Sequence, residues 1–192
     1  LTTLWKSNKI LLFGGYNMTQ FFDETWSYDY NTNTWTNMNP NDIGGTLLGR
    51  SAHRIAYYET ADRMILFGGV EEEGVHYRFM NDTWEFDYNN NIWKKLNPTV
   101  IGGVLPEMCG FGLTYDASAD RIICFGGYNG SDFGTYYDET WIFDYHKNTW
   151  TKRNPNFVGG SLTPRFLIQM VYDSNKERTI LFGGKQDQNT YQ

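Results

Sequence analysis

The sequence predicts an all-β chain in which one strand-rich unit is used three times and begun a fourth. Three observations carry this reading. Phe-Gly-Gly begins at positions 13, 67, 125 and 182, at spacings of 54, 58 and 57 residues. Tryptophans stand at 26, 84 and 141 and again at 35, 93 and 150, and both series step by 58 and then 57. After each first tryptophan the pattern alternates with a period of two, placing Trp26, Tyr28 and Tyr30 on one face of a strand. Self-similarity at a fixed period marks a repeat architecture.

An apolar strand closing on a double glycine, followed by two tryptophans about ten residues apart, resembles the kelch repeat. The resemblance implies a β-propeller segment of about 3.5 antiparallel blades, each four-stranded and each a wedge of a larger ring. The period of 57 to 58 exceeds the roughly 50 of ordinary kelch repeats, which implies long loops. Kelch-like propellers include binding adaptors, carbohydrate-active enzymes and a copper oxidase, so the fold alone chooses no activity.

In chain order, blade 1 covers about residues 1–40, blade 2 49–98, blade 3 107–155, and a half blade 164–192. The chain opens in the middle of an inner strand. Either it is part of a larger ring, or two copies associate through open strand edges. The second strands, such as Ile10 to Phe13, lack polar alternation, as expected for strands packed on both faces. Each is expected to end at its glycine pair, Gly14-Gly15, Gly68-Gly69, Gly126-Gly127 or Gly183-Gly184, where the backbone turns too tightly for a Cβ. The third strands carry Trp26, Trp84 and Trp141, the outer strands Trp35, Trp93 and Trp150, and only Trp5 falls outside these slots. A residue repeated in every blade serves the blade, so these tryptophans read as core. Asn-rich turns join third to outer strands. Asn-Pro…Gly-Gly connectors follow, at residues 39–45, 97–103 and 154–160. Arg50 and Arg165 open inner strands as in the kelch pattern, and Met108 departs from it. Lys9, Arg63, Arg121 and Arg178, three of them beside Asp62, Asp120 and Glu177, read as ties within turns.

Net charge is −6, and the basic residues are scattered, which disfavours nucleic acid. No apolar run is long enough for a membrane span. Cys109 and Cys124 fall out of register across one hairpin, with Cys124 opposite Gly112 or Leu113, so free buried thiols are expected. Three Asn-X-Ser/Thr triplets, at Asn17, Asn81 and Asn129, lean toward an extracellular or envelope setting.

His53, His76 and His146 are the only histidines and share no metal-ligand spacing, and no phosphate-binding glycine loop is present. No catalytic residue, cofactor or metal is assigned. In an up-and-down blade the loops between strands two and three open on the same face as the connectors. They are also where the repeats differ. Tyr16, Phe21 and Phe22 lie in the first, His76, Tyr77, Arg78 and Phe79 in the second, and Tyr128, Asp132, Phe133, Tyr136 and Tyr137 in the third. Variable loops on a rigid scaffold carry function, and exposed Tyr, Phe and Arg dominate binding hot spots. The expected function is a non-catalytic module binding a protein or glycan through this face. The alternatives are a segment of a propeller enzyme whose catalytic residues lie elsewhere, and a structural envelope or filament component.

Overall fold

The computed structural model describes residues 2–4, 9–74, 76–130 and 134–186. These residues contain strands and turns and no helix. The first blade is an antiparallel sheet of β1 (Thr2–Leu4), β2 (Lys9–Tyr16), β3 (Phe21–Asp29) and β4 (Thr34–Asn37), in that order. A short connector strand, β5 (Asn41–Ile43), then leaves it and pairs in parallel with the outer strand of the next blade. That blade is β6 (Arg54–Tyr58), β7 (Arg63–Glu73), β8 (His76–Asp87) and β9 (Ile92–Leu96). The pattern repeats: β10 (Thr99–Ile101) runs parallel to β16 (Thr149–Arg153), in a sheet with β11 (Gly112–Asp116), β12 (Arg121–Phe125) and β15 (Thr140–Asp144). A small hairpin, β13 (Tyr128–Asn129) with β14 (Thr135–Tyr136), stands beyond β12 and β15. The last pair is β17 (Gln169–Asp173) with β18 (Arg178–Phe182). The molecule is thus an all-β propeller segment, with a fifth strand on two blades that the four-stranded expectation lacked.

Blades join through the repeat residues themselves. The Trp93 indole N–H donates to Thr25 Oγ1 of the preceding blade at 2.9 Å, and Trp150 donates to Thr83 Oγ1 at 3.0 Å. The same tryptophans lie against Phe13 and Phe67, with ring centroids 5.5 and 4.7 Å apart. One core gathers Leu11, Phe13, Met64, Leu66, Phe86 and Trp93 between the first two blades. A second gathers Ile65, Phe67, Phe111, Phe143 and Trp150 between the next two. Burying one such large aromatic stabilises by roughly 1.5–3 kcal/mol. Near the start of the inner strands, Arg54 donates to the carbonyls of Phe111 and Ile168, each at 3.0 Å, tying three blades together.

The double glycines end β12 and β18, which stop at Phe125 and Phe182, but they do not end β2 and β7. Strand pairing resumes after a bulge between Phe13 and Gly15 and between Phe67 and Gly69, and β2 and β7 run on into projecting hairpins. Both glycines of each pair have positive φ, 65° and 121° at Gly14 and Gly15. The reason for the first glycine is the end of the following connector. The Gly15, Gly69 and Gly127 amides each donate at 2.9 Å to the carbonyls of Arg50, Met108 and Arg165. A Cβ on Gly14, Gly68 or Gly126 would lie 2.6–2.8 Å from those same oxygens.

On the opposite face the turns follow one recipe. Asp29, Asp87, Asp116, Asp144 and Asp173 each accept at least one backbone amide from the turn that follows. A left-handed residue closes the turn, among them Asn33, Asn91 and Asn148 at φ of 54°, 53° and 50°. The basic residues before the second strands do tie these ends, but their carboxylate partners stand across on the third strand. Lys9 pairs with Asp29 at 3.0 Å, Arg63 with Asp87 at 2.8 Å and Arg121 with Asp144 at 3.4 Å. Asp62 and Asp120 accept tyrosine hydroxyls instead, from Tyr57 and Tyr115. Leu113 stands opposite Cys124, and both cysteines are free and buried. Burial pushes the Cys109 thiol up to about 12 and Cys124 well above its ordinary value, so neither is a ready nucleophile.

Candidate functional site

The face opposite the Asp-capped turns is built by three hairpins and the connector ends that clip into them. Arg50, Met108 and Arg165 each donate their backbone amide to a hairpin carbonyl, those of Phe22, Met80 and Tyr137, at 3.0–3.2 Å. Each hairpin is thereby held to the start of the next blade. The loops predicted here are therefore strands over much of their length. Tyr16 pairs with Phe21 across the first hairpin. In the second, pairing continues through Glu71 with Arg78, Glu72 with Tyr77 and Glu73 with His76.

The predicted binding residues divide into two groups. At the first, Tyr16 stacks on Phe21 at 4.5 Å with 25° between the rings, and Phe21 meets Tyr77 of the next hairpin edge-on at 6.4 Å. Tyr16 is 41% exposed and Tyr77 60%, and His76 beside it is exposed too. Partial burial, then the neighbouring Tyr77 and Glu72, raise the Tyr16 phenol above its ordinary pKa. Phe22 is half-buried, and Arg78 is half-buried in an ion pair with Glu71.

The second group is packed on itself. Phe79 is a correction to the predicted face: it is 8% exposed, edge-on to Tyr128 at 5.9 Å. Tyr128 lies 4.8 Å from Tyr136 and 5.2 Å from Phe166, and all three are half-buried. Tyr137 is half-buried beside them. Asp132 and Phe133 lie outside the described residues. Phe166 was missed because it lies at the end of a connector, between β16 and β17, and not in a loop between strands two and three. Its one signal was its place directly after Arg165, in the slot of Ser51 and Cys109, where all three bridge to the residue directly after a glycine doublet.

Charged groups beneath this face serve the blades. Each first tryptophan donates its indole N–H to the acid two residues before it: Trp26 to Glu24, Trp84 to Asp82 and Trp141 to Glu139, at 2.7–2.9 Å. Asp82 also takes two bonds from the buried Arg50 guanidinium, at 2.6 and 3.0 Å. Burial alone would raise Asp82, but Arg50's hydrogen bonds and charge hold its pKa below the usual carboxylate value. Where Met108 replaces that arginine, Lys152 from the outer strand pairs with Glu139 instead. The same slot holds Lys95 in the second blade, alongside Arg50. Clefts of about 280 and 560 Å³ open at equivalent places on the first and second connectors, beside Glu24 and Asp42 and beside Asp82 and Val100. A gap that recurs from blade to blade belongs to the joint. Among the triplets noted in the sequence, Asn81 and Asn129 donate their side-chain amides to the Leu105 and Glu107 carbonyls, while Asn17 sits exposed at a hairpin tip.

A family model for the KLHDC2/KLHL20/DRC7 Kelch-repeats domain matches residues 1–192. The chain belongs to the Kelch-repeat family. Among curated proteins, this Kelch chain is 23% identical over 190 residues to Mei4-dependent protein 6 of Schizosaccharomyces pombe, covering 94% of the chain and 27% of that protein. It is 30% identical over 118 residues to human Host cell factor 2, covering 62% of the chain and 14% of that protein. It is also 24% identical over 164 residues to the Rho GTPase-activating protein gacHH of Dictyostelium discoideum, covering 83% of the chain and 10% of that protein. The Kelch chain thus spans about a quarter or less of the length of these relatives. No described helix is long and apolar enough to cross a membrane, and no group of three or more His, Cys, Asp or Glu among the described residues could hold a metal ion.

Proposed function

We propose that this Kelch chain is a non-catalytic protein-binding module, and that its partner docks on the hairpin-bearing face over Tyr16, Phe21, His76 and Tyr77. The observation that carries the reading is the aromatic run from Tyr16 through Phe21 to Tyr77, which crosses from one blade to the next and leaves two tyrosines in water. Partly exposed tyrosines held on paired backbone present rigid contact area with little entropy left to lose on binding. The repeat residues are already engaged inside the blades, so what varies between repeats is what a partner can read. Membership of a repeat family rich in interaction modules supports the same reading.

The test is proximity labelling in cells with the full-length protein, wild type against Tyr16→Ser/Tyr77→Ser. The expected result is loss of a defined set of labelled proteins, with direct binding of at least one reproduced using purified components and an unchanged melting temperature. An identical labelled set in both would overturn the proposal.

A further inference from the structure

The hairpin face is acidic. The segments from each glycine pair to the acid before the first tryptophan slot, residues 14–24, 68–82 and 126–139, hold nine of the chain's 22 acids and one of its 16 lysines and arginines. Outside them basic residues slightly outnumber acids, so the net charge of −6 originates in these segments. Their one basic residue, Arg78, is half-buried in its ion pair with Glu71. Neighbouring cations are held as well, Arg50 by Asp82 and Lys152 by Glu139. Glu72 of the second hairpin and Asp138 of the third are exposed, as is Glu107 on the connector beside the third.

The second hairpin lies between the other two. Tyr77 meets Phe21 on one side at 6.4 Å, and Phe79 meets Tyr128 on the other at 5.9 Å. Its surface is therefore that of a blade with a neighbour on each flank. Glu72 and Tyr77 pair directly across its strands, which sets both side chains on one face of the ribbon with Cβ atoms about 4.5–5.5 Å apart. Tyr77 is 60% exposed, and Glu72 is exposed beside it.

We propose that the protein partner presents a basic segment to this face, and that one of its arginines lies over the Tyr77 ring with its guanidinium at the Glu72 carboxylate. This rests on the hairpin face being the docking site and names the chemistry that the site accepts. A tyrosine ring attracts a cation through its quadrupole. A carboxylate directly across the ribbon takes the fork of N–H groups that a stacked guanidinium turns outward. Arginine fits the pair better than lysine, because its planar group stacks and forks at once. The surplus of carboxylates over three hairpins draws a cationic segment in and repels anionic surfaces such as nucleic acid. Because those carboxylates stand in water, salt screens the attraction.

The test is selection from a random phage-displayed peptide library on the immobilised wild-type chain. The selected peptides are then synthesised and their affinities measured for wild type, Tyr77→Ser, Glu72→Gln and Glu72→Lys, with thermal melts to confirm that each variant is folded. The expected result is a set of peptides enriched in arginine that bind Tyr77→Ser and Glu72→Lys about tenfold more weakly than wild type. Glu72→Gln should show a smaller loss, raised salt should weaken binding to wild type, and replacing the peptide's critical arginine by glutamate should restore binding to Glu72→Lys. Peptides that depend on Tyr77 but carry no basic excess, or that bind Glu72→Lys as well as wild type, would overturn the basic-partner assignment and leave the docking face standing. A selection that yields no peptide dependent on Tyr77 would overturn both.

Discussion

The two faces of this propeller segment are made by the same strands and treat their side chains differently. On the Asp-capped face, the turns repeat the same bonds blade after blade. A carboxylate caps the turn, a left-handed residue closes it, and Lys9, Arg63 and Arg121 are each neutralised by an acid on the third strand. On the hairpin face the strands outrun the sheet by different amounts and leave Tyr16 and Tyr77 in solvent. What repeats is held inside the blade, and what differs is offered outside. A side chain's slot in the repeat therefore indicates its role better than its chemical type does. Tryptophan, the residue most easily taken for a ligand platform, is fully buried where Trp93 and Trp150 join two blades.

The sharpest way to break that contrast is to truncate one tryptophan slot at two places. Trp150→Ala removes a fully buried ring and its bond to Thr83, and is expected to cost about 3–5 kcal/mol in thermal or urea unfolding. Trp35→Ala, in the same slot but 48% exposed, should cost less than about 1 kcal/mol. Equal losses would show that the joint does not hold the blade.

Next comes the ion pair beneath the hairpin face. Arg50→Met leaves Asp82 without its buried cation and should cost about 3 kcal/mol at neutral pH. The sign of the pH effect follows from Asp82's lowered pKa. The stabilisation is fully present above the ordinary carboxylate pKa of about 3.9 and is lost as pH falls through the lower folded-state value. Wild type should therefore lose this increment only in strong acid. The variant should show a smaller drop in stability over the same acid range, and an unaltered pH profile would contradict the assignment.

A smaller effect separates two glycines that both have positive φ. Gly68→Ala meets the Met108 carbonyl at 2.8 Å in addition to its backbone strain, so it should exceed the roughly 1–2 kcal/mol of a left-handed alanine. Gly74→Ala, near the tip of the second hairpin with nothing within 4 Å of its Cβ, should cost only that strain. Similar melts for the two would mean that the connector end is not clipped to the glycine pair.

Much of this architecture was legible in the sequence because it is periodic. The spacing of Phe-Gly-Gly and of the paired tryptophans indicated strands, blades and joints, and the offset of Cys109 from Cys124 indicated free thiols. The hairpin extensions were hidden by a rule that is sound elsewhere. Glycine pairs usually stop strands, as they do after Phe125 and Phe182, whereas in the first two blades they form a bulge after which pairing resumes. The fifth strands were hidden by distance. Asn41–Ile43 and Thr99–Ile101 are three residues each and pair with strands about fifty residues ahead, so no local pattern announces them. Burial of Phe79 under Tyr128 could not be read either, since it depends on a contact between two different blades. Of the candidate face, the sequence located the loops but not which of their aromatics stay in water.

The central claim is that binding resides on the hairpin face while the repeat slots serve the fold. Its most direct test compares Tyr16→Ser/Tyr77→Ser with a control on the opposite face, Tyr30→Ser/Lys147→Ala, whose side chains are also exposed. For each, affinity for a partner identified by labelling is measured alongside the melting temperature. Both pairs should change stability by no more than about 0.5 kcal/mol per site. The account predicts that the hairpin-face pair alone loses the partner. Loss of binding in the control, or full binding by the hairpin-face variant, would contradict it.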